Sequence, residues 1–436
     1  MYKVLVNGVI TLALLGAAVV LALLPWSLLL VLAVLFALWS ALSHRGRQAW
    51  AVTRVGLATL PQRLGSSSVV VIGIAGVVGV LVALLAMGEG FRATLVQTGS
   101  DDTVLVMRAG ANAELNSVLV RDAVVQIEQT PGILKNAKGE PIASPELVVV
   151  ASLPRKGSGL DANLQIRGVG PQVRELRPHV HITTGRDFQP GLRELVVGKG
   201  AAEQFQGLDL GATITLNNQV WTVVGSFEAG DAFDSEVWAD ADIVASTYRR
   251  GNSVTDVTVR LVDADALEAF KAALAANPQL KVDAETTRSY FSRQSENLTL
   301  LIRIVGSVVG AIMAIGAIFG ALNTMYAAVA TRAREIATLR AIGFRGLPVI
   351  VSVMIETMLL ALVGGLLGAA IAWLIFDNYS VSTMSQNFSQ VVFAFRVSPA
   401  LALEGLKWAL VIGFIGGLFP ALRAARLPVT TALREL

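Results

Sequence analysis

The chain has 436 residues, of which 54% are hydrophobic and only 15% are charged, and its formal net charge is +3. A soluble protein of this length needs more charge to cover its surface, so part of the chain is expected to lie in lipid. The small net charge argues against nucleic acid as a partner. The absence of cysteine excludes a disulfide scaffold, thiol catalysis and cysteine-ligated zinc.

The first apolar run covers residues 4–42 and is interrupted by Pro25, Trp26 and Ser27. About 20 apolar residues cross a bilayer, so this run predicts a helical hairpin of two short spans with Pro25 at the turn. The alternative is a cleaved signal peptide followed by one span. The hairpin is favoured because the interruption leads straight into another apolar run, whereas a signal peptide usually ends at small residues.

Four further apolar runs predict core spans at Ser68 to Met87, Leu298 to Ala330, Leu347 to Phe376 and Ala400 to Leu422. The expected domains are a transmembrane hairpin (1–45), a basic cytoplasmic amphipathic segment (46–67), the first core span (68–93), an extracytoplasmic domain (94–296) and a three-span region (297–436). Short loops rich in arginine mark the cytoplasmic side. Those arginines are Arg45, Arg47, Arg54 and Arg63, then Arg332, Arg334, Arg340 and Arg345, and finally Arg423, Arg426 and Arg434.

The polar insert between the first and second core spans alternates between strand and helix patterns, which predicts an α+β domain. Helices are expected over Ser117 to Gln129 and over Asp263 to Asn277, where Asp263 or Asp265 would cap the helix. Strands are expected at Asp102 to Met107, Leu147 to Leu153, Leu164 to Val169, Glu194 to Val197, Ala212 to Leu216, Val220 to Gly225 and Val254 to Leu261.

No catalytic or metal-binding set is expected in this insert. His179 and His181 form an H-x-H pair with no third ligand at a recognisable spacing, and the acidic residues Asp231, Glu236, Asp240 and Asp242 are interpreted as a solvated loop. The phosphate-binding pattern G-x-x-x-x-G-K-[ST] does not occur in the sequence. ATP hydrolysis by this chain in the P-loop manner is therefore not expected.

A cytoplasmic segment from Thr331 to Phe344 has the pattern of a short amphipathic helix. Ile336, Leu339 and Ile342 recur at about every third position and are expected to form one apolar stripe. Arg332 and Glu335 are three residues apart and can pair, and Gly343 stands where a helix would end. Two interpretations remain open on these grounds: an anchor at the membrane surface, or a helix that docks into a cytosolic partner.

The string from Arg332 to Phe344, R-A-R-E-I-A-T-L-R-A-I-G-F, and the C-terminal string from Gly416 to Pro428, followed by Ala432, Leu433 and Arg434, resemble the FtsX/MacB-type ABC permease family. The insert resembles the MacB-like periplasmic core domain, as in Glu194 to Gly198 and Trp221 to Gly225. The resemblance covers about residues 50 to 436. The sequence departs from this family in two ways. MacB resembles a fusion with its ATPase, whereas no ATPase part is expected in this sequence. The N-terminal hairpin is extra to the four-span core of the family.

This resemblance implies a fold with four core transmembrane helices plus the hairpin, and a large α+β extracytoplasmic domain between the first and second core helices. It implies that the chain is not itself an enzyme and holds no cofactor. ATP and Mg would be bound by a separate cytosolic ATPase. The residues expected to couple to that ATPase are Arg332, Arg334, Glu335, Leu339, Arg340, Gly343 and Phe344.

The family resemblance also implies an export permease of the bacterial inner membrane that works by mechanotransmission (type VII). It would form a homodimer, or a heterodimer with a related permease, and would work together with a periplasmic adaptor. The alternatives are an FtsX-like regulator of cell-wall hydrolases and a LolC/LolE-like lipoprotein-releasing subunit. Gly306, Gly310, Gly316 and Gly320 have the small-x-x-x-small spacing of helix packing or dimer faces, with Gly73, Gly76 and Gly79 as a matching ridge. Among intramembrane ionisable residues, Glu404 and Lys407 lie near the end of a span and are expected to pair or to snorkel, and Glu356 is the stronger functional candidate.

Overall fold

A computed structural model describes residues 24–58, 64–384 and 389–426. The chain divides into two compact units. The membrane unit lies within Met1–Met87, Ile302–Asp377 and Arg396–Leu436, and the sheet unit lies within Gly88–Leu301 and Asn378–Phe395. The first half of the expected N-terminal hairpin lies outside the described residues, as do Arg63 and the segment from Leu427 to Arg434.

The helices of the described chain follow in order. They are α1 Trp26–Leu42, α2 His44–Ala58, α3 Leu64–Thr98, α4 Arg121–Glu128, α5 Val173–Leu176, α6 Lys199–Gln204, α7 Ala241–Thr247, α8 Leu267–Ala275, α9 Thr287–Thr331, α10 Ala333–Ala341, α11 Gly346–Phe376 and α12 Pro399–Arg426. Four of them, α3, α9, α11 and α12, are long and apolar enough to cross a membrane. The four predicted core spans are therefore confirmed.

The two helices at the start of the described chain bend by 95° at the break between α1 and α2. No side chain of α1 is buried, as expected for a uniformly apolar helix whose surroundings are lipid. Helix α2 buries one face, made of Gly46, Ala49, Val52, Thr53 and Gly56, and it packs mainly on α11. Its arginines, Arg45, Arg47 and Arg54, are exposed.

The core spans α3 and α9 are longer than their hydrophobic patterns predict. Helix α9 has 45 residues and begins at Thr287 instead of Leu298. At about 1.5 Å per residue, it is about 68 Å long. The additional turns are polar, with Arg288 and Arg293 among them, so they carry no apolar signal although they are helical.

Small residues bring the core helices of the membrane unit close together. A Cβ at Gly368 of α11 would lie 2.5 Å from the carbonyl oxygen of Ala75 in α3, and one at Gly413 of α12 would lie 2.4 Å from the Cβ of Ala361 in α11. Buried residues such as Ile74, Met325 and Ile412 fill the space between the helices. The close approaches are typical of helices that pack in lipid.

The sheet unit is built on a ten-stranded sheet in the order β12-β1-β11-β3-β4-β9-β6-β8-β5, with β7 paired to β8. The pairs β4/β9 and β6/β8 are parallel, and the other pairs in this sheet are antiparallel. The strands are β1 Thr103–Arg108, β2 Leu119–Val120, β3 Ala143–Pro154, β4 Asp161–Val169, β5 His181–Gly185, β6 Glu194–Gly198, β7 Thr213–Leu216, β8 Gln219–Glu228, β9 Glu236–Asp240, β10 Ser253–Val254, β11 Asp256–Arg260, β12 Val282–Thr286, β13 Ser380–Met384 and β14 Gln390–Ala394.

Two hydrophobic cores lie along this sheet, and β3 contributes to both. The first core contains Ala143 of β3 with Phe270 of α8, and the second contains Leu147 of β3 with Trp221 of β8. The α+β class predicted for the insert is confirmed. The expected helix from Ser117 is shorter, because Leu119–Val120 forms a strand with β10 and the helix α4 begins only at Arg121.

A second hairpin was missed by sequence reasoning. The segment between α11 and α12 forms the antiparallel pair β13–β14 and belongs to the sheet unit. The backbone N–H of Val392 donates to the hydroxyl of Ser235 over 2.8 Å, and the ring of Phe393 packs edge-on against Phe91 at 5.4 Å. Its strands are short and partly polar, and they gain stability from this packing.

Candidate functional site: the cytoplasmic helix and the buried ion pairs

The cytoplasmic helix α10 has well-defined ends. Arg332 is its N-cap residue, and the carbonyl of Arg332 accepts the N–H of Ile336 over 3.0 Å. At the other end Gly343 has φ +105°, its N–H donates to the carbonyl of Arg340, and the N–H of Phe344 donates to the carbonyl of Leu339. This is the Schellman arrangement, in which glycine takes the left-handed conformation.

The observed burial along α10 differs from the predicted apolar stripe. Ile336 and Ala337 are buried and Leu339 is partly buried, but Ile342 is 68% exposed. Ile342 follows the last helical residue, so it departs from the helical periodicity. Arg334 and Glu335 are exposed on α10, and Ile342 is exposed at its C-terminal end.

Arg332 does not lie on that exposed surface. Its side chain is buried, and the Nη1 group donates to Oε2 of Glu356 in α11 over 3.0 Å. Its Nε group donates to Oε2 of Glu335 over 3.1 Å, so the predicted pair within the segment also forms. Of the residues predicted to couple to an ATPase, Arg334, Glu335 and Gly343 are exposed, while Leu339, Arg340 and Phe344 are partly buried.

The glycines predicted for helix packing or dimer contact fall into two groups. A Cβ on Gly306 or Gly310 of α9 would meet Leu84 or Leu81 of α3, at 3.4 and 3.0 Å. A Cβ on Gly316 or Gly320 would meet no atom within 4 Å. Within the described part of this chain, leucines of α3 make these contacts, whereas Gly73 and Gly76 have open space and Gly79 is close to Gly368 of α11. A role of these glycines between two permease subunits stays a prediction.

The other intramembrane charges form a local pair. Nζ of Lys407 lies 2.9 Å from Oε2 of Glu404, one turn away on α12. This pair belongs to one helix and does not connect it to another. The pair of Arg332 and Glu356 connects α11 with the residue that caps α10, so this pair constrains the tertiary structure.

A buried ionic cluster lies in the sheet unit, around Arg167 of β4. Its guanidinium contacts Glu114 at 2.6 Å, Glu146 at 2.9 Å and Glu236 at 2.7 Å. Arg177 contacts Glu146 at 2.6 Å, and both arginines line a cavity of about 140 Å³ together with Phe233 and Phe291. Arg167 is 1% exposed, and such a buried charge needs this degree of pairing.

Burial and charge act in opposite directions on the carboxyl groups of the cluster. Burial alone would raise the pKa of Glu146, but Arg177 and Arg167 outweigh it and hold that pKa below its ordinary value. Burial raises the pKa of Glu236 despite the guanidinium of Arg167. The pKa of Asp256 is raised well above its ordinary value by burial and by the neighbouring charges of Glu114 and Glu146. Burial opposes the charge of Arg167, yet Glu114 and Glu236 keep its pKa well above the ordinary value.

The interpretation of the acidic residues near β9 as a solvated loop is wrong. Asp231 and Asp240 are cap residues that accept the N–H groups of Phe233 and Ile243, and Glu236 is buried in the cluster. His179 contacts Asp231 at 3.0 Å. Within residues 24–58, 64–384 and 389–426, no group of three or more histidine or acidic side chains has the arrangement of a metal site.

Two protein-family models match this chain, one over the polar insert with the first core span and one over the C-terminal spans. The MacB-like periplasmic core domain matches residues 67–277, and the FtsX-like permease C-terminal domain matches residues 307–429. The chain is 28% identical over 426 residues to the macrolide export ATP-binding/permease protein MacB of Nitrobacter winogradskyi, covering 91% of this chain and 61% of that protein. The chain therefore spans less than two thirds of that relative.

A second relative has almost the same extent as this chain. The uncharacterized ABC transporter permease YknZ of Bacillus subtilis is 24% identical over 404 residues, which are 87% of this chain and 98% of that protein. The crystal structure of the extracellular domain of the ABC-type transporter YknZ from Gram-positive bacteria covers 42% of this chain and 98% of that domain, with 17% identity and a TM-score of 0.32.

Proposed function

Since this chain belongs to the family of ABC permeases that combine a MacB-like periplasmic core domain with an FtsX-like permease domain, we propose that it couples a cytosolic ATPase to extracytoplasmic movement. It is a multi-pass protein of the inner membrane with an extracytoplasmic domain. The movement would drive export by mechanotransmission. The ATPase would be a separate subunit that holds ATP and Mg.

The observation that carries the proposal is the position of α10. It follows α9 after a single residue, and α9 is one unbroken helix of 45 residues. The first turns of α9, up to Leu301, belong to the sheet unit. A partner that moves α10 would therefore act on one end of a stiff element whose other end is part of the extracytoplasmic domain.

The exposed surface of α10 supports the docking interpretation over a simple membrane anchor. It combines a cation and an anion, Arg334 and Glu335, with the exposed apolar side chain of Ile342. A mixed polar and apolar surface of this kind suits a protein partner, whereas an interfacial anchor usually places basic residues on one face and apolar residues on the other.

We propose that the permease works as a pair, either with a second copy or with a related permease, and together with a periplasmic adaptor. The match of the insert to the MacB-like core domain favours export over regulation of hydrolases. Purification of the complex from membranes distinguishes the classes. An adaptor is expected to copurify; a cell-wall hydrolase or a lipoprotein in its place would point to the FtsX-like or LolC/LolE-like alternative.

The coupling role is tested by reversing the charge of Glu335. In the permease–ATPase complex reconstituted in lipid, Glu335→Lys is expected to lower the permease-dependent ATPase rate by about tenfold or more, because a like charge at an interface is strongly unfavourable. The control is Asp265→Lys, the same reversal at an exposed position of the sheet unit. Normal ATPase coupling in correctly inserted Glu335→Lys would contradict the proposal.

A further inference from the structure

Three segments of the membrane unit meet at the side chain of Arg332. It follows the last residue of α9, it caps α10, and it reaches Glu356 in the interior of α11. Both Arg332 and Glu356 are buried, at 8% and 4% exposure. We propose that the ion pair between Arg332 and Glu356 fixes the position of α10, so that both are positioning residues for coupling and not contacts with the ATPase.

Arg332 both anchors α10 and starts it. The backbone carbonyl of Arg332 accepts the N–H of Ile336, the first hydrogen bond of α10, while its side chain is held by Glu356. A residue with these two roles transmits any displacement of α11 directly to the N-terminus of α10. It also prevents α10 from rotating independently of the spans.

Helix α2 also packs against the side chain of Arg332. A Cβ added at Gly56 would lie 3.2 Å from Nη2 and 3.3 Å from Nη1 of Arg332, and 3.4 Å from the hydroxyl of Ser352. The absence of a side chain at Gly56 thus lets α2 approach the guanidinium closely. The junction is shielded by α2, which is outside the segments that suggested a coupling function.

An ionisable residue inside a span requires a partner, and Glu356 lies ten residues after the start of α11. Removing one member of a buried pair leaves the other charge buried and is far more costly than removing both. The other carboxylate at Arg332 is Glu335, which is 50% exposed and one turn away on the same helix. Exposed pairs of this type contribute little.

The same arginine therefore has one buried and one exposed partner, which gives a matched pair of variants. The experiment measures amide hydrogen exchange of α10 in the full chain, in lipid nanodiscs and without ATPase. Glu356→Gln is expected to speed exchange of the α10 amides by about tenfold or more, because the anchor is lost. Glu335→Gln is expected to change it by less than about twofold.

Two further variants separate anchoring from general damage. Glu404→Gln removes the ion pair within α12 and should leave the exchange of α10 unchanged. The double variant Arg332→Gln with Glu356→Gln should exchange more slowly than Glu356→Gln alone, since it removes both charges of the buried pair and does not leave the Arg332 charge without its buried partner. If Glu356→Gln does not insert, Glu356→Asp keeps the charge but shortens the side chain, and it should give an intermediate exchange rate.

The inference rests on the proposed coupling function, but the two can fail separately. In the complete complex, Glu356→Gln should still bind the ATPase, because the exposed residues Arg334 and Glu335 of α10 are unchanged. The permease-dependent ATPase rate should nevertheless fall by about tenfold. Unchanged exchange of α10 in Glu356→Gln would overturn the anchor. Raised exchange with normal ATPase coupling would overturn the positioning role. A normal ATPase rate in Glu335→Lys would instead refute the proposed function and leave the exchange result standing.

Discussion

Replacing Arg167 by methionine tests the buried cluster of the sheet unit. Methionine keeps much of the length of the side chain but removes the charge. Arg167 is 1% exposed and contacts three carboxylates, those of Glu114, Glu146 and Glu236. Without it, Arg177 is the cation that remains in contact with Glu146. The variant therefore buries negative charge with much less compensation.

The expected loss follows from what it costs to leave a buried charge without its partner. Breaking a buried ion pair by removing one member typically costs about 3–5 kcal/mol. For a domain of this size, about 1 kcal/mol lowers Tm by roughly 2–4 °C, so Arg167→Met should lower the Tm of the sheet unit by about 6–20 °C. The control is Arg186→Met. Arg186 is exposed and pairs with Glu194 at the surface, so its loss should have little effect.

The pH dependence of this loss has a defined sign. In the natural chain the pKa of Glu146 is held below its ordinary value, so this group stabilises the fold above its unfolded pKa and its contribution is lost as pH falls. In Arg167→Met, the loss of the Arg167 guanidinium moves the pKa values of Glu146 and Glu236 upward, because that guanidinium lowers both of them in the natural chain. Groups with raised pKa values stabilise the fold at low pH and lose that contribution as pH rises. The deficit in Tm should therefore shrink on acidification.

The assay is thermal unfolding of the full chain followed by tryptophan fluorescence, since Trp221 and Trp238 are buried in this unit. The measurement is repeated at about pH 5 and about pH 8, on either side of neutrality. A Tm for Arg167→Met equal to that of Arg186→Met would refute the claim that the cluster is structural. A deficit that grows on acidification would refute the assignment of charges within it.

Two other changes test the structure at separate places. Asp256→Asn should raise Tm at alkaline pH but not at acid pH, because asparagine does not titrate. The pKa of Asp256 is raised in the folded chain. The free energy of unfolding of the natural chain therefore falls by about 1.4 kcal/mol per pH unit between the unfolded and folded pKa values of Asp256. Gly368→Ala should destabilise the packing of α3 on α11 by about 1–3 kcal/mol, because its Cβ would overlap the backbone of Ala75. The control is Gly76→Ala, whose Cβ would meet no described atom within 4 Å, so it should be neutral or slightly stabilising. Both glycine variants are measured in a detergent thermal-shift assay. Equal losses in the two variants would contradict this packing.

The spans were predictable because hydrophobicity is a local property of the chain. Four apolar runs appear as α3, α9, α11 and α12, and the regions rich in arginine mark their cytoplasmic ends. The polar turns of α9 before Leu298 were missed, since a helix that continues beyond the bilayer no longer needs apolar side chains. Strand positions in the insert were largely visible, but the order of the strands and the hairpin β13–β14 were not.

Helix α10 shows what a local pattern could not predict. The pairing of Arg332 with Glu335 follows from a spacing of three residues on one helix. The pairing of Arg332 with Glu356 joins residues 24 positions apart, and no periodicity connects them. Sequence placed Arg332 among the partner-facing residues for the same reason that it placed Arg334 there, since both are arginines of one short segment. Their opposite burial comes from the packing of α2 and α11 around the junction.

The amino-acid order established that four helices span the bilayer, which ends are cytoplasmic, and which motifs relate the chain to ABC permeases, because each of these depends on short stretches of residues. The folded chain established which charges are buried and with whom they pair. Arg167 meets carboxylates from three different parts of the chain, and Arg332 meets one from another span. Such pairs form only after distant segments pack, and the cost of an unpaired buried charge then makes them obligatory.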